Sequence, residues 1–239
     1  MPRLGNLDLG SVPRIAVAIT DADLSTAEAW LPLADVVELR LDLCAGRDPT
    51  SAIETAQRAQ ALGKPLLATV RSHAEGGTGG LDDADRHALY EAVVPYADAL
   101  DIELASPLCD TVVALARRHG KLAIASSHDF ERTPPSATLA ARLADGARRA
   151  DVVKIAATAG EPNDLGRLVD LLRQPGGPRI VIAMGAHGTA SRLFFPLLGS
   201  LLTYSFAGAP TAPGQIALAE LYDALRLYSP AFAALHPAG

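Results

Sequence analysis

Short apolar runs alternate with longer amphipathic stretches along almost the whole chain. The runs are rich in Val, Ile, Leu and Ala, a composition typical of parallel strands that are buried on both faces. We predict strands at residues 14–19, 36–41, 65–70, 99–103, 121–126, 152–155, 179–183 and 201–204. We predict helices in the stretches that follow them, at residues 24–33, 50–62, 84–93, 107–119, 136–149, 162–173, 189–197 and 214–227.

Eight strand-then-helix units within about 220 residues favour a (β/α)8 or TIM barrel of the α/β class. An open, doubly wound sheet is the alternative with the same alternation. No stretch rich in Pro, Gly and Ser divides the chain, so we expect a single domain over residues 1–239. Residues 4–11 precede the first unit, and we expect a short strand there that closes the barrel bottom. The tail after Ser229 is expected to be irregular.

Composition narrows the functional classes. Of the 239 residues 49% are hydrophobic, which supports a large core and excludes a mostly disordered chain. The net charge of −6 argues against general binding to nucleic acid or to an anionic membrane. The two cysteines, Cys44 and Cys109, are too few for a disulfide framework, so we expect a cytoplasmic location.

Two segments bear on targeting and on membranes. Residues 1–12 lack a basic region followed by a continuous apolar run, so we expect no secretory leader. Residues 193–219 carry no charge, but Pro196, Gly199 and Pro213 interrupt them. We therefore expect no membrane-spanning helix in this stretch.

A barrel would bring the polar strand residues together, because active sites of such barrels lie at the carboxyl ends of the strands. On the second predicted strand, Glu38, Arg40 and Asp42 alternate onto one face. Three buried charges cost free energy unless they pair with one another or bind a ligand. Both an internal ion-pair network and a binding site remain open here. Later strand ends add Thr69, Arg71, Glu75, Asp101, Glu103, Ser126, Ser127, His128 and Lys154.

Lys154 differs from the other lysines. Only three of the 21 Lys and Arg residues are lysines, and Lys64 and Lys121 each follow a glycine at the start of a strand. Lys154 lies inside an apolar strand near its carboxyl end. A lysine can lose its proton and attack a carbonyl, which arginine cannot do. Burial and neighbouring positive charge would lower its pKa. The alternative is a structural lysine that is neutralised by Glu38 or Glu103.

His128 follows the predicted strand that precedes the Lys154 strand, so both side chains would project into one barrel mouth. An imidazole can take and return a proton near neutral pH, although a lone histidine is also compatible with a structural role. Residues 185–192 form a glycine-rich loop that could bind a carboxylate together with Arg192. Metal-ligand spacings are absent from the sequence, so we expect no metal.

Together these segments resemble type I 3-dehydroquinate dehydratase, the Schiff-base class of the shikimate pathway. The resemblance runs in order from Pro13 to about Leu225. Its motifs are Glu-Leu-Arg-Leu-Asp at 38–42, Thr-Val-Arg at 69–71, Glu-Gly-Gly at 75–77, Asp-Ile-Glu-Leu at 101–104, Ser-His-Asp-Phe at 127–130, Val-Lys-Ile-Ala at 153–156, Met-Gly at 184–185, Ser-Arg at 191–192, Gly-Ser at 199–200 and Thr-Ala-Pro-Gly-Gln at 211–215.

The resemblance implies a (β/α)8 barrel that converts 3-dehydroquinate into 3-dehydroshikimate and water in chorismate and aromatic amino acid biosynthesis. It implies that Lys154 forms an imine with the substrate ketone. It also implies that His128 is the general base and then the general acid, and that Glu75 assists the imine steps and orients His128. No cofactor is implied.

The resemblance also implies a substrate-binding set. Arg192 would bind the substrate carboxylate, and residues 211–215 would cover the site as a lid. The hydroxyls and the rest of the ring would be held by Glu38, Arg40, Arg71, Thr211 and Gln215. Family members often have serine where Thr211 and Ala18 stand. Thr211 keeps the hydroxyl, whereas Ala18 would lose one substrate contact.

The resemblance implies a homodimer, and the uncharged apolar stretch that begins at residue 193, in the seventh predicted helix, is a candidate interface. We expect a small-molecule substrate and neither a nucleic-acid nor a membrane partner. Two alternatives remain: another Schiff-base barrel lyase such as an aldolase, which would share Lys154, and a non-catalytic metabolite-sensing barrel. Release of an aldehyde would indicate the first, and binding without turnover would indicate the second.

Overall fold

A computed structural model describes residues 1–237 of the chain. Eight parallel strands form one sheet. The seven strands from Ile15–Ile19 to Arg179–Met184 pair in chain order, and the eighth, Thr203–Phe206, pairs with the first. This near-closure confirms the barrel and excludes the open doubly wound sheet. The strands are β3 (Ile15–Ile19), β4 (Val36–Arg40), β5 (Leu66–Thr69), β6 (Ala99–Glu103), β7 (Leu122–Asp129), β8 (Val152–Thr158), β9 (Arg179–Met184) and β10 (Thr203–Phe206).

Helices cover the outside of the sheet, and most follow the predicted positions. They are α1 (Ala27–Trp30), α2 (Pro49–Gln60), α3 (Asp83–Val93), α4 (Cys109–Arg118), α5 (Ser136–Arg149), α6 (Pro162–Arg173), α7 (Ser191–Leu197), α8 (Leu218–Tyr228) and α9 (Pro230–Leu235). Local signals explain several starts. The Asp48 side chain accepts from the backbone at the start of α2, and Asp82 forms a capping box with Asp85 before α3.

Two predicted segments differ from the structure. The single helix expected at 24–33 is a short α1 between two 3-10 turns, Ala22–Thr26 and Leu31–Leu33. Pro32 lacks a backbone N–H, which disfavours a continuous helix there. The expectation of an irregular tail is wrong, because Ser229 caps α9 by accepting from the Phe232 N–H.

The barrel bottom is closed by a small hairpin of two strands, β1 (Arg3–Leu4) and β2 (Leu7–Asp8). Leu4 and Leu9 are fully buried and pack against the apolar residues that begin the barrel strands. The predicted N-terminal extension therefore lies where we expected it, as a hairpin rather than one strand.

Side chains alternate into the barrel in layers. The bottom layer is apolar and contains Ala16, Val36, Leu67, Ala99, Ile124, Val152 and Ile180. The next inward positions along the strands carry the buried polar residues Glu38, Thr69, Asp101, Ser126 and Lys154. Two further apolar clusters join the outer strand faces to the helices. A rigid apolar base thus supports a buried polar site above it. Within residues 1–237, no helix has both the length and the apolar character needed to cross a membrane.

Candidate active site at the carboxyl end of the barrel

One cavity at the carboxyl ends of the strands brings together all nine residues that the sequence predicts for the site. It contains about 480 Å³ of empty space, part of which is open to solvent. Its predicted members are Glu38, Arg40, Arg71, Glu75, His128, Lys154, Arg192, Thr211 and Gln215. They come from strands, loops and one helix that are far apart in sequence. The geometry therefore permits them to act on one small ligand.

Lys154 lies deep in this cavity, with 4% of its surface exposed. Its Nζ is 3.0 Å from Oδ2 of Asp101 and 3.6 Å from Oε1 of Glu38. It also lies 4.2 Å from the centre of the Tyr204 ring. We predicted Glu38 or Glu103 as a neutralising partner of Lys154, and the residues that contact its Nζ in the structure are Glu38 and Asp101. Two carboxylate side chains therefore lie close to the amine, and one of them, Asp101, was not among the partners predicted from the sequence.

Asp101 links Lys154 to the arginine side of the barrel. Its Oδ1 accepts from Nη2 of Arg71 at 2.9 Å and from Oγ of Ser126 at 2.6 Å. Asp101 is fully buried, and burial opposes its ionisation, but the charges of Arg71 and Lys154 hold its pKa well below the usual range. Asp101 therefore remains a carboxylate throughout the neutral range.

Arg71 is fixed by a second carboxylate as well. Its Nη1 donates to Oε1 of Glu103 at 2.9 Å, and Arg86 pairs with the other oxygen of Glu103. Burial opposes the charge of Arg71, but the surrounding carboxylates raise its pKa well above the usual range. From the sequence, an internal ion-pair network and a binding site were both possible. The structure contains such a network, and the network lies within the wall of the cavity.

His128 is held by Glu75 through two contacts. Oε2 of Glu75 accepts from the His128 backbone N–H at 2.7 Å and lies 2.9 Å from Nδ1 of the ring. Burial and the charges of Arg71 and Lys154 place the His128 pKa well below its ordinary value, so the imidazole is neutral. Burial raises the pKa of Glu75 to about 7. When Glu75 is ionised, Nδ1 carries the proton and Nε2 is free to accept one.

Glu38 and Arg40 extend the wall on β4. Oε1 of Glu38 accepts from Oγ1 of Thr69 at 2.9 Å. Arg40 donates to both oxygens of Asp42, from Nε at 3.0 Å and from Nη2 at 2.8 Å. Asp42 also accepts from the Arg71 backbone N–H at 3.1 Å. These contacts fix the two predicted ligands at the edge of the cavity.

Arg192 at the start of α7 is the cation most available to a ligand. It is 3% exposed, and its Nε has no hydrogen-bond partner among residues 1–237. Burial lowers its pKa to about 10, which still leaves it charged at neutral pH. Its Nη2 reaches the carbonyl of Pro213, 3.4 Å away in the predicted lid. A buried cation in this state suits a carboxylate ligand.

The loop at residues 211–215, for which the resemblance implies a lid, lines this side of the cavity. The side chain of Gln215 accepts from the backbone N–H groups of Thr211 at 2.7 Å and Ala212 at 3.2 Å. The N–H of Gly185 donates to the carbonyl of Pro213 at 3.3 Å. The loop is therefore tied both to itself and to the end of β9.

Several cavity residues were not in the predicted set. Tyr204, Phe130, Ile182 and Met184 also line the cavity. Strand alternation on β9 and β10 would have identified the inward positions, but apolar residues there are usual in any barrel. Ala18 lines an adjoining space beside Arg40 rather than the main cavity.

The mouth of this eight-stranded α/β barrel holds a buried amine, a neutral imidazole bound to a carboxylate, and an available arginine. These groups are typical of α/β-barrel enzymes that form an imine with a ketone substrate, and the arginine suits a substrate with a negative charge. The family model for type I 3-dehydroquinase matches residues 15–230. The chain therefore belongs to the type I 3-dehydroquinase family.

Individual relatives agree along nearly the whole chain. A 3-dehydroquinate dehydratase from Methanosarcina acetivorans is 36% identical over an alignment of 234 positions that covers 92% of this chain and 97% of the relative. The crystal structure of the 3-dehydroquinate dehydratase from Geobacillus kaustophilus superposes with a TM-score of 0.87 at 28% identity, covering 95% of this chain and 97% of that one. The structure of the Aquifex aeolicus protein gives 0.82 at 33% identity, covering 91% and 99%.

Proposed function

We propose that this chain, as one catalytic barrel, is a hydro-lyase that converts 3-dehydroquinate into 3-dehydroshikimate and water. Membership of the type I family and the name shared by its relatives support this reaction. The observation that carries the proposal is the placement of Lys154 and His128 in one cavity, with His128 oriented by Glu75. The pathway would be chorismate and aromatic amino acid biosynthesis.

The first step joins Lys154 to the substrate. The Lys154 ammonium first releases one proton, and the nitrogen then bonds to the ketone carbon. That proton and one more from the nitrogen pass to the ketone oxygen, which leaves as water, so the nitrogen keeps one proton and the positive charge. The product is a protonated imine, which withdraws electrons more strongly than the ketone did. The adjacent C–H bond becomes acidic enough for a neutral imidazole to remove its proton.

His128 then transfers one proton in two successive steps. Its Nε2 takes the proton from the carbon next to the imine and returns it to the hydroxyl that leaves from the neighbouring carbon. Water departs, a carbon–carbon double bond forms, and hydrolysis of the imine frees Lys154. A positioned acid–base group contributes roughly 10²–10⁴-fold in rate.

The remaining site residues orient the ring. Arg192 pairs with the substrate carboxylate, because it is a buried cation whose Nε has no partner among residues 1–237. Glu38, Arg40 and Arg71 bind hydroxyls from the β4 and β5 side. Thr211 and Gln215 close over the ligand from the lid. Such positioning lowers the entropy cost of the reaction.

Borohydride trapping tests the nucleophile. We expect reduction in the presence of 3-dehydroquinate to add the ligand mass to the peptide that contains Lys154. Lys154→Ala should abolish both trapping and dehydration, whereas Lys121→Ala, at the start of β7, should retain both. Undiminished dehydration by Lys154→Ala would remove Lys154 from the mechanism. Aldehyde release from the wild type would indicate an aldolase instead.

His128→Ala separates imine formation from proton transfer. We expect the variant to keep borohydride trapping at Lys154 but to lose roughly 10²–10⁴-fold in kcat. The measurement combines the absorbance of the product with the mass of the trapped peptide. Full activity of this variant would contradict the assignment of His128.

We also propose a cytoplasmic homodimer without nucleic-acid or membrane partners. Two free, buried cysteines, Cys44 and Cys109, suit a reducing compartment. Leu197 and Leu198 at the end of α7 are 43% and 46% exposed, which supports an interface there. Sedimentation should give a dimer, and Leu198→Glu should shift it towards monomer. A monomeric wild type would contradict this assembly.

A further inference from the structure

Asp101 makes a contact that the proposed mechanism has not used. Its two oxygens have separate partners: Oδ1 accepts from Arg71 and Ser126, whereas the hydrogen bond at Oδ2 comes from Nζ of Lys154 at 3.0 Å. Glu38 is farther from Nζ, at 3.6 Å, and its Oε1 already accepts from Thr69. One carboxylate oxygen of Asp101 therefore faces the nucleophilic nitrogen directly.

The direction of approach matters as much as the distance. Lys154 lines the cavity, whereas Asp101 is fully buried and does not line it. Asp101 thus contacts Nζ from within the barrel wall and leaves the open side of the nitrogen to the ketone. A substrate can bond to Nζ without displacing Asp101.

The contact between Oδ2 of Asp101 and Nζ of Lys154 can persist when the imine forms. An ammonium and a ketone give a protonated imine and one water molecule, so one positive charge is present on nitrogen before and after. The protonated imine keeps a single N–H, which needs one acceptor. We propose that Asp101 is the counterion of the Lys154 imine, accepting that N–H and keeping the nitrogen protonated during proton abstraction. The inference rests on the function proposed above.

The charged and titratable groups around Nζ support a fixed counterion. They are Glu38 on β4, Arg71 after β5, Asp101 on β6, His128 on β7, Arg192 on α7 and Tyr204 on β10. Burial raises the pKa of Tyr204 well above its usual value, and that of His128 is well below its own, so both are neutral in the working range. Asp101 is the carboxylate nearest to the nitrogen. An ionised carboxylate at hydrogen-bond distance raises the pKa of a cationic partner by about one to three units.

Asp101→Asn removes the charge while nearly conserving the shape. We expect the alkaline limb of the kcat profile, where the imine loses its proton, to move to lower pH by at least about one unit. Borohydride trapping at pH 8 should fall about tenfold and recover towards pH 6. Ionisation of Glu75, whose pKa is about 7, sets the acid limb, and Asp101 and Glu103 both raise that pKa. The acid limb should therefore move to slightly lower pH in Asp101→Asn and in Glu103→Gln alike, so it does not distinguish the two variants.

Glu103→Gln is the matched control. Glu103 lies on the same strand, is equally buried and binds the same arginine at 2.9 Å, but it does not contact Nζ. Both variants weaken the network around Arg71, and the counterion role predicts a shifted alkaline limb for Asp101→Asn alone. An unshifted limb in Asp101→Asn, at any level of activity, would overturn the proposal, as would equal shifts in both variants.

A measurement on the wild type avoids dependence on folding of the variants. The imine of 3-dehydroshikimate is conjugated, and its protonated form absorbs at longer wavelength. We expect the enzyme-bound imine to keep that absorbance to at least about one pH unit above the imine of 3-dehydroshikimate with butylamine in water. Equal midpoints would overturn the counterion. If the wild type neither dehydrates 3-dehydroquinate nor gains its mass at Lys154, the proposed function itself fails.

Discussion

At the scale of single residues, the pair formed by Glu75 and His128 decides when the site can act as a base. Oε2 of Glu75 faces both the backbone N–H and Nδ1 of His128. A protonated Glu75 would donate to Nδ1, which would leave the ring proton on Nε2. An ionised Glu75 accepts from Nδ1–H and frees Nε2. The charge of Glu75 thus selects the reactive tautomer.

We predict that kcat rises with pH through about 7, where Glu75 ionises. Glu75→Gln should remove this limb, because an amide oxygen accepts from Nδ1–H at every pH. The loss in kcat on the plateau should be smaller than the roughly 10²–10⁴-fold expected for removing the imidazole. Steady-state rates from pH 5.5 to 9 measure both effects. A limb near 7 that persists in the variant would assign the titration to another group.

The sequence predicted the site better than it predicted the contacts within it. All nine proposed residues line one cavity, because the barrel brings inward strand positions, the loops after the strands and the start of α7 to the same mouth. Alternation along a strand gives the direction of a side chain, but it gives no distances across the barrel. It therefore could not choose among Glu38, Asp101 and Glu103 as partners of Lys154, and it gave Tyr204 no role.

At the scale of elements, the loop between β10 and α8 joins two walls of the cavity. Gly214 has a φ of +75°, and a Cβ atom there would lie 2.4 Å from the carbonyl oxygen of Gly185. Only glycine allows both this backbone conformation and this close approach. The neighbouring hydrogen bond from Gly185 to Pro213 holds the loop end against β9.

We predict that Gly214→Ala raises KM for 3-dehydroquinate several-fold, because the added methyl group displaces the loop that carries Thr211 and Gln215. The control is Gly63→Ala, which has a similar φ of +73° but no atom within 4 Å of its added Cβ. Both variants introduce backbone strain, but only the alanine at position 214 would collide with a residue beside the active site. Equal KM values in both would exclude a substrate-covering role for the loop.

Elements with a long buried face were predicted more accurately from the sequence than short or mostly exposed elements. All eight predicted barrel strands exist, because strands buried on both faces leave continuous apolar runs. Helices α5 and α6 begin and end where we predicted. The helix expected at 24–33 failed because its apolar spacing did not reveal the 3-10 turns. The missed α9 had a readable signal, Ser229 followed by Pro230, since serine caps helices and proline favours their first turn.

At the scale of the whole molecule, α9 secures the barrel from below. Phe232 is fully buried and packs against Tyr222 and His236. His236 lies 3.3 Å from Asp35, which also pairs with Arg14 near the start of β3. The last helix thus reaches the amino ends of the first two barrel strands.

We predict that Phe232→Ala lowers the free energy of unfolding by about 3–5 kcal/mol, the usual cost of removing a buried phenylalanine side chain. Leu235→Ala, on the same helix but 48% exposed, should cost much less. Urea denaturation with an unchanged m-value measures the difference. Similar losses in both variants would mean that α9 is not part of the cooperative core.

The hairpin under the barrel has a kinetic consequence. Leu4 and Leu9 fill the lower end of the barrel. Substrate, product and water therefore enter and leave through the cavity mouth at the carboxyl ends of the strands. The water released when the imine forms lies next to the carbon–nitrogen bond that must later be hydrolysed. If the upper opening of the cavity is closed, this water stays in the site and can hydrolyse the imine. Turnover then includes one opening event per cycle, and a viscous co-solvent should slow release without slowing bond breaking.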